Sequence, residues 1–195
     1  MAYHHGNLRR AILDGAVAAI EADGVAALSL RDVARRAGVS HAAPAHHFGD
    51  KAGVLTTIAT EGYERLAEAT RSALAGGEFV DGGLAYIRFA IEHPAHFEVM
   101  FRPEVVRAGD PDLVAARYAA ADVLFDAVRA RLGEDARDED VFGGLAAVWS
   151  FCHGLATLWL NGNFAARRGD DPEAVARAAV GGAARLAEAG AFPVP

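Results

Sequence analysis

Hydroxyl, imidazole and guanidinium side chains are concentrated between Ser29 and Phe48, in the sequence SLRDVARRAGVSHAAPAHHF. The tripeptide Ala-Gly-Val at 37–39 separates two short helical patterns in this segment. Gly38 permits the left-handed backbone of a tight turn, and Val39 is placed to fill the angle between the two helices. This spacing is typical of a helix-turn-helix, whose second helix enters the major groove of DNA with its N-terminal residues near the base edges.

The elements that position this segment are predicted to be helices. Apolar residues recur at helical spacing over 7–23, and Gly24 is placed to end that first helix. Ser29 and Ser40 are placed as N-caps of the second and third helices, the third extending to Phe48. A fourth helix over 50–74 then joins this N-terminal part to the rest of the chain.

Five further helical patterns follow, at 81–92, 94–101, 110–132, 138–162 and 171–189, each bounded by Gly, Pro or an acidic residue. No segment shows the sustained alternation of a strand. The predicted fold is therefore all-α with about nine helices. A three-helix, helix-turn-helix domain occupies residues 1–48, and a larger helical ligand-binding and dimerisation domain occupies residues 49–195.

Composition narrows the class of protein. Of the 195 residues, 52% are apolar, which is enough for a sizeable core, and the one cysteine, Cys152, excludes a disulfide framework within the chain. No run of 18 uninterrupted apolar residues predicts a membrane span, and residues 1–10 lack the apolar core of a signal peptide. We therefore expect a cytoplasmic protein that has no membrane partner.

The charge is unevenly distributed. The net charge is −7, but residues 1–55 hold six Lys and Arg against five Asp and Glu, and five of the eight histidines. The remainder holds 13 basic residues against 21 acidic ones. This asymmetry favours an orientation in which the N-terminal part faces phosphate.

Residues 7–58 resemble the TetR/AcrR family of bacterial repressors. The likeness lies in the first helix, the turn at 37–39, a recognition helix that ends in His47-Phe48, and Asp50-Lys51 ahead of Val54-Leu55. The resemblance implies that operator DNA is the partner and that bases face His41, Ala42 and His46. It implies that Ser40, His47 and Lys51 hold phosphates, with Ser29 and Arg31 on the flanking strand.

Two residues depart from the pattern of that family. Ala45 stands where an aromatic residue commonly touches the DNA backbone, so that contact is absent. Pro44 is compatible only with a first helical turn, which favours a late start of the recognition helix. Base recognition is then expected to depend mainly on His41 and His46, with the methyl groups of Ala42 and Ala43 against thymine methyls.

Two aromatic-rich segments, 92–101 and 149–159, predict an apolar effector pocket with one or two orienting polar groups. They resemble the C-terminal domain of a TetR subgroup marked by Trp, His and Gly, here Trp149, His153 and Gly154. An ordinary core, with His153 bonded to a buried partner, is the alternative. The candidate ligand-binding residues are Phe97, Met100, Phe101, Trp149, Cys152, His153, Ala156 and Trp159.

The last two long helices predict a homodimer, because their small and apolar residues allow close packing of four helices, two from each chain. The residues concerned are Val141, Leu145, Val148, Ala174, Ala178, Gly181, Gly182, Ala183 and Leu186. One short recognition helix alone binds too weakly to select a site in a genome.

The predicted function is that of a sequence-specific transcriptional regulator, a repressor released by its ligand. The alternative is a small-molecule-binding helical protein or an enzyme without DNA binding. An enzyme is poorly supported, because Cys152 and His153 diverge on a helix and no carboxylate lies within a turn on their face. We expect no cofactor and no metal: His46 and His47 also diverge, and His93 and His96 are expected to be exposed.

Overall fold

The computed structural model describes residues 3–164 and 171–189, and all regular structure in these residues is helical. The helices are α1 (Tyr3–Ala27), α2 (Leu30–Arg36), α3 (Ala43–Phe48), α4 (Lys51–Gly76), α5 (Phe79–Glu92), α6 (Pro94–Met100), α7 (Pro111–Leu132), α8 (Asp138–Leu160) and α9 (Pro172–Glu188). The all-α prediction with about nine helices is confirmed.

The chain forms two compact units, which are not the two halves of the sequence. Of the described residues, unit 1 comprises 3–68 and 93–123, and unit 2 comprises 69–92, 124–164 and 171–189. Helices α4 and α7 each contribute residues to both units. The predicted domain boundary at residue 48 stays a prediction.

In unit 1, α1 packs against α2, α3 and α6. Ile12 and Leu13 of α1, Val33 of α2, and Leu55 and Ile58 of α4 are almost completely buried. Burial of such side chains contributes roughly 1.5–3 kcal/mol each, so this apolar core holds the helix-turn-helix segment in place. Gly24 does adopt a positive φ of 77°, as predicted, but helical structure resumes for one more turn, to Ala27.

In unit 2, α5 packs against α8 and α9. The apolar face of α5, including Leu84, Ile87 and Phe89, is buried. Two ion pairs fasten α9 to α5: Arg88 Nε donates to Glu173 Oε1 over 2.6 Å, and Arg177 lies 3.3 Å from Asp81. Helix α5 is therefore the central element of this unit.

Candidate DNA-binding and effector sites

The helix-turn-helix is formed as its sequence predicts. Ser29 is the N-cap of α2, and its Oγ accepts a hydrogen bond of 3.2 Å from the Asp32 N–H. Gly38 has a φ of 66°, and the following residue, Val39, donates its N–H to the Ala34 carbonyl over 3.0 Å. Ala34 is fully buried where the two helices approach. Local capping and one left-handed glycine therefore set the angle between α2 and α3.

The start of α3 differs from the prediction. Helix α3 begins at Ala43 and not at Ser40, and its N-cap position, Ala42, makes no side-chain capping bond. Pro44 occupies the first turn, the only helical position where its missing N–H and fixed φ cost little. Residues 40–43 instead form a turn closed by the bond from Ala43 N to the Ser40 carbonyl. The predicted capping role of Ser40 is therefore wrong.

The three residues predicted to face bases, His41, Ala42 and His46, are exposed, and so is Ala45. The opposite side of α3 is buried, through Ala43, Pro44 and Phe48. The prediction that the Ala43 methyl faces thymine is consequently wrong, because that side chain belongs to the core. Ser29, Arg31 and Ser40 are also exposed, and His47 is half-buried.

Several basic groups around this edge already have partners in the protein. Lys51 Nζ donates to the Ala26 carbonyl over 3.1 Å, which joins the end of α1 to the start of α4. The Arg36 guanidinium bonds to Asp32 at 2.6 Å and to Asp23 at 3.0 Å. Arg36 and then Arg35 lower the pKa of the Asp32 carboxyl by hydrogen bonding. These contacts order the surface beside α3, and the phosphate contact of Lys51 stays a prediction.

A charged cluster joins α1, α4 and α6 within unit 1. Arg10 Nη1 contacts both carboxylate oxygens of Glu61, at 3.0 and 2.9 Å. His96 Nε2 lies 3.9 Å from Glu61 Oε2, and together His96 and Arg10 lower the Glu61 pKa to about 2. Since 3.9 Å is too long for a hydrogen bond, we attribute most of the lowering of the Glu61 pKa to Arg10. His96 is only 3% exposed, so the prediction that it is a solvated surface histidine is wrong.

In unit 2, Tyr86 connects two of the predicted effector residues. Its hydroxyl lies 2.9 Å from His153 Nδ1 and accepts a bond of 3.3 Å from Trp149 Nε1. Burial lowers the pKa of His153, which favours the neutral imidazole. Cys152 packs beside Gly83, where an added Cβ would lie 3.1 Å from its Sγ.

The sequence analysis missed Tyr86, although a tyrosine within the apolar pattern of α5 signals a hydroxyl that needs a buried partner. Burial raises the pKa of the Cys152 thiol to about 11, so the thiol is protonated at neutral pH and unsuited to nucleophilic catalysis. Ala156 is fully buried on the same helix, and the Trp159 ring lies 6.3 Å from that of Phe164.

The other predicted effector residues, Phe97, Met100 and Phe101, belong to unit 1. The rings of Phe97 and Phe101 are 5.1 Å apart, and Tyr63 of α4 packs edge-on against Phe101 at 6.0 Å. Tyr63 donates its hydroxyl to the Met100 carbonyl over 2.9 Å. These contacts fasten the end of α6 to α4.

Two family models match the chain. One, for bacterial regulatory proteins of the tetR family, matches residues 12–58, and the other, a tetracyclin repressor-like C-terminal domain, matches residues 79–194. The C-terminal match alone spans more than half of the sequence. The chain belongs to the TetR family.

Relatives agree with this assignment. The HTH-type transcriptional repressor AcnR of Corynebacterium efficiens is 29% identical over 133 residues, which cover 67% of this chain and 66% of AcnR. A protein of unknown function from a Rhodococcus species is 34% identical, with a TM-score of 0.74 over 91% of this chain and 93% of that one. PfmR, a TetR family regulator from Thermus thermophilus, is 25% identical, with a TM-score of 0.66 over 86% and 93% of the two chains.

Membership of the TetR family confirms the predicted class of protein. TetR-family proteins are DNA-binding transcriptional regulators that combine a helix-turn-helix with a ligand-binding C-terminal domain, and they are not enzymes. The finer assignment to a subgroup marked by Trp149, His153 and Gly154 stays a prediction.

Helix α8 of this TetR-family chain leaves large apolar side chains uncovered. Phe142 is 68% exposed and Trp149 is 45% exposed, and Val180 and Leu186 of α9 are exposed as well. Among the described residues, α8 is also long and apolar enough to cross a membrane by length and composition, with 22% of its most apolar stretch buried. Val141 is fully buried within unit 2, so the prediction that it lies on a dimer interface is wrong.

Proposed function

We propose that the protein is a cytoplasmic, homodimeric repressor that binds operator DNA through α3 and releases it when a largely apolar small molecule binds. The proposal is carried by one exposed edge, which His41 and Ala42 form just before α3 and Ala45 and His46 form within it. The other side of the helix is buried. An edge without a role in the core is available to base edges in the major groove.

Three of these four residues have a proposed role, and Ala45 has none. His41 and His46 hydrogen-bond to bases, and the Ala42 methyl contacts thymine. Ser29, Arg31, Ser40, His47 and Lys51 bind phosphates on either side of the groove. Because α3 starts at Ala43, His41 and Ala42 precede the helix, and they approach the bases from the turn.

Selection of bound duplexes from random-sequence DNA by the purified protein tests this proposal, followed by titration of the selected duplex. His46→Ala is expected to relax the choice of base at particular positions and leave the salt dependence unchanged, because no phosphate contact is lost. Arg31→Ala is expected to weaken binding to all sequences and lower the salt slope by about one. Unchanged selection and affinity in both variants would show that α3 is not the DNA-binding helix.

The exposed apolar residues of α8 and α9 support the homodimer. A second copy that covers them removes apolar surface from water at both chains and places two recognition helices about 34–36 Å apart, one turn of DNA. Sedimentation of Phe142→Asp is expected to show monomers that bind the selected duplex weakly. Tyr118→Asp is the matched control, because Tyr118 is an exposed aromatic residue of unit 1. A dimeric Phe142→Asp variant would contradict this interface.

The hydrogen-bonded group of Tyr86, Trp149 and His153 supports an effector site in unit 2. An apolar small molecule with one hydrogen-bonding group can replace one of the hydrogen bonds within this group by a bond of its own. An effector shifts DNA binding only by its difference in affinity between two conformations, typically about 1–3 kcal/mol. The contacts of Phe97, Met100, Phe101, Cys152, Ala156 and Trp159 with an effector remain part of the proposal.

Thermal shift with apolar carboxylic acids, phenols and amines is a direct screen for such a molecule. A true effector is expected to raise the melting temperature and weaken binding to the selected duplex, and Tyr86→Phe is expected to change its affinity. A compound that stabilises the protein equally well with DNA bound would not be the effector, since it does not distinguish the two states.

A further inference from the structure

The loop between α6 and α7 reaches the junction of α3 and α4, although about 50 residues separate them in sequence. Arg107, in this loop, donates its backbone N–H to Thr56 Oγ1 over 2.9 Å. Thr56 is buried, and its own hydroxyl donates to the Ala52 carbonyl over 2.7 Å. The backbone of the loop is therefore fixed to the first turns of α4.

The Arg107 side chain contacts the junction a second time. Its Nη2 lies 3.1 Å from Asp50 Oδ1, the same oxygen that accepts the Gly53 N–H over 2.9 Å. Asp50 thus caps the start of α4 and pairs with Arg107 through one atom. Both contacts lower the pKa of the Asp50 carboxyl, the Gly53 bond first and the Arg107 bond second.

The guanidinium also lies against two glycines that flank Asp50. A Cβ added at Gly49 would be 3.1 Å from Arg107 Nη2, and one added at Gly53 would be 3.4 Å from Nη1. Gly49 ends α3 with a φ of 82°, a conformation that glycine adopts readily. The chain leaves α3 and enters α4 in the space that Arg107 covers.

This junction determines how α3 is presented to DNA. Phe48 is the last residue of α3, and Lys51, a proposed phosphate contact, is the first residue of α4. A change in the backbone of residues 49–50 rotates α3 relative to α4, and small rotations of a recognition helix misplace every base contact. A side chain that restrains this turn therefore increases the affinity for DNA without contacting DNA itself.

We propose that Arg107 is a positioning residue for DNA binding: its side chain fixes the α3–α4 junction through Asp50 and Gly49, in a loop that its backbone N–H already ties to Thr56. The proposal rests on the proposed function, because it assumes that α3 binds DNA. It assigns a role in the DNA-binding surface to a loop outside residues 12–58, the range of the N-terminal family match.

The test compares Arg107→Ala with Arg102→Ala in the full-length protein. Arg102 is the matched control: it lies at the start of the same loop, and its ion-pair partner is Glu98 of α6, at 3.2 Å. Against the duplex selected by the unaltered protein, Arg107→Ala is expected to weaken binding roughly 2- to 30-fold, the range for residues that act through a coupled element. Arg102→Ala is expected to change binding little.

Three further measurements separate positioning from direct contact. The slope of affinity against salt is expected to stay unchanged in Arg107→Ala, whereas loss of a phosphate contact lowers it by about one. Arg107→Lys is expected to restore part of the affinity, since it keeps the positive charge beside Asp50. In an Asp50→Asn background, which keeps a capping oxygen, the effect of Arg107→Ala is expected to shrink.

Hydrogen exchange of the amides of residues 49–54, measured without DNA, completes the test. Faster exchange in Arg107→Ala but not in Arg102→Ala, together with weaker binding, supports the proposal. A lower salt slope, equal binding by the two alanine variants, or unchanged exchange overturns it. If the unaltered protein selects no duplex, but exchange is still faster in Arg107→Ala, then the proposed function is wrong. In that case Arg107 still restrains the α3–α4 junction.

Discussion

The ion pair of Arg10 and Glu61 is expected to contribute measurably to stability, and Glu61→Gln tests this. Glutamine keeps the size of the side chain and removes its charge. In the folded protein the Glu61 pKa falls from its ordinary 4.5 to about 2. At 1.36 kcal/mol per unit, that difference corresponds to at most about 3 kcal/mol.

Three features of the site reduce this figure. The Glu61 side chain is 20% exposed, so water screens part of the attraction, and the His96 imidazole is too distant for a hydrogen bond. Arg10 also keeps a second partner, Asp14, at 2.6 Å. We therefore expect Glu61→Gln to lower the free energy of unfolding by about 1–2 kcal/mol at pH 7, in the range for a charged hydrogen bond.

Urea unfolding from pH 7 down to pH 3, at constant protein concentration, measures the pH dependence of this loss. Because the folded pKa lies below the unfolded value, the contribution of Glu61 is complete above about pH 5. It decreases as the pH falls from 4.5 towards 2, since the unfolded chain takes up its proton first. The difference between the unaltered protein and Glu61→Gln is therefore expected to narrow at low pH.

Glu64→Gln is the matched control, because Glu64 is exposed one turn further along α4. Its effect is expected to be within about 0.5 kcal/mol, as for most surface substitutions. A Glu61→Gln protein as stable as the unaltered one at pH 7 would refute the assignment to Arg10, and so would a difference that stays constant from pH 7 to pH 3.

Three shorter predictions concern the other sites. Ser29→Ala is expected to destabilise the protein by about 1 kcal/mol in urea unfolding, because it removes the N-cap of α2, whereas Ser29→Asp retains a capping oxygen. Gly53→Ala is expected to abolish binding to the selected duplex, because an added Cβ would overlap the carbonyl oxygen of Phe48, the last residue of α3. Gly76→Ala is the control on the same helix: no atom lies within 4 Å of its added Cβ, and the variant is expected to bind normally. Tyr86→Phe is expected to cost about 0.5–1.5 kcal/mol of stability, because it removes the hydrogen bonds to His153 and Trp149, which are both partly exposed. It is also expected to change the tryptophan fluorescence, and an unchanged spectrum would show that the Tyr86 hydroxyl does not contact the Trp149 indole.

Features encoded by neighbouring residues were predictable from the sequence. Ser29 as a cap, Gly38 as a left-handed turn residue and Ala34 as a close-contact residue each depend on positions within one or two turns. The same local rules produced the error at Ser40. A capping preference of about 1 kcal/mol was outweighed by Pro44, whose ring and missing N–H are tolerated only in the first turn of a helix.

Contacts between distant segments were not predictable in this way. Tyr86 and His153 are 67 residues apart, and Arg107 and Asp50 are 57 residues apart. No periodicity relates such pairs, because they meet only after the helices have packed. His96 shows the same limit: exposure was the default expectation for this histidine, whereas its ring is buried in the folded protein, where α6 packs against α1.

The burial of Cys152 has a practical consequence. It is the one cysteine of the 195 residues, and its thiol is both covered and protonated near neutral pH. Maleimides and other electrophiles that label thiolates are therefore expected not to react with Cys152 in the folded protein. A cysteine introduced at an exposed position such as Glu21 of α1 becomes the sole attachment point for a fluorophore or spin label. The distance between the two labels of a dimer then reports the separation of its two DNA-binding segments in solution.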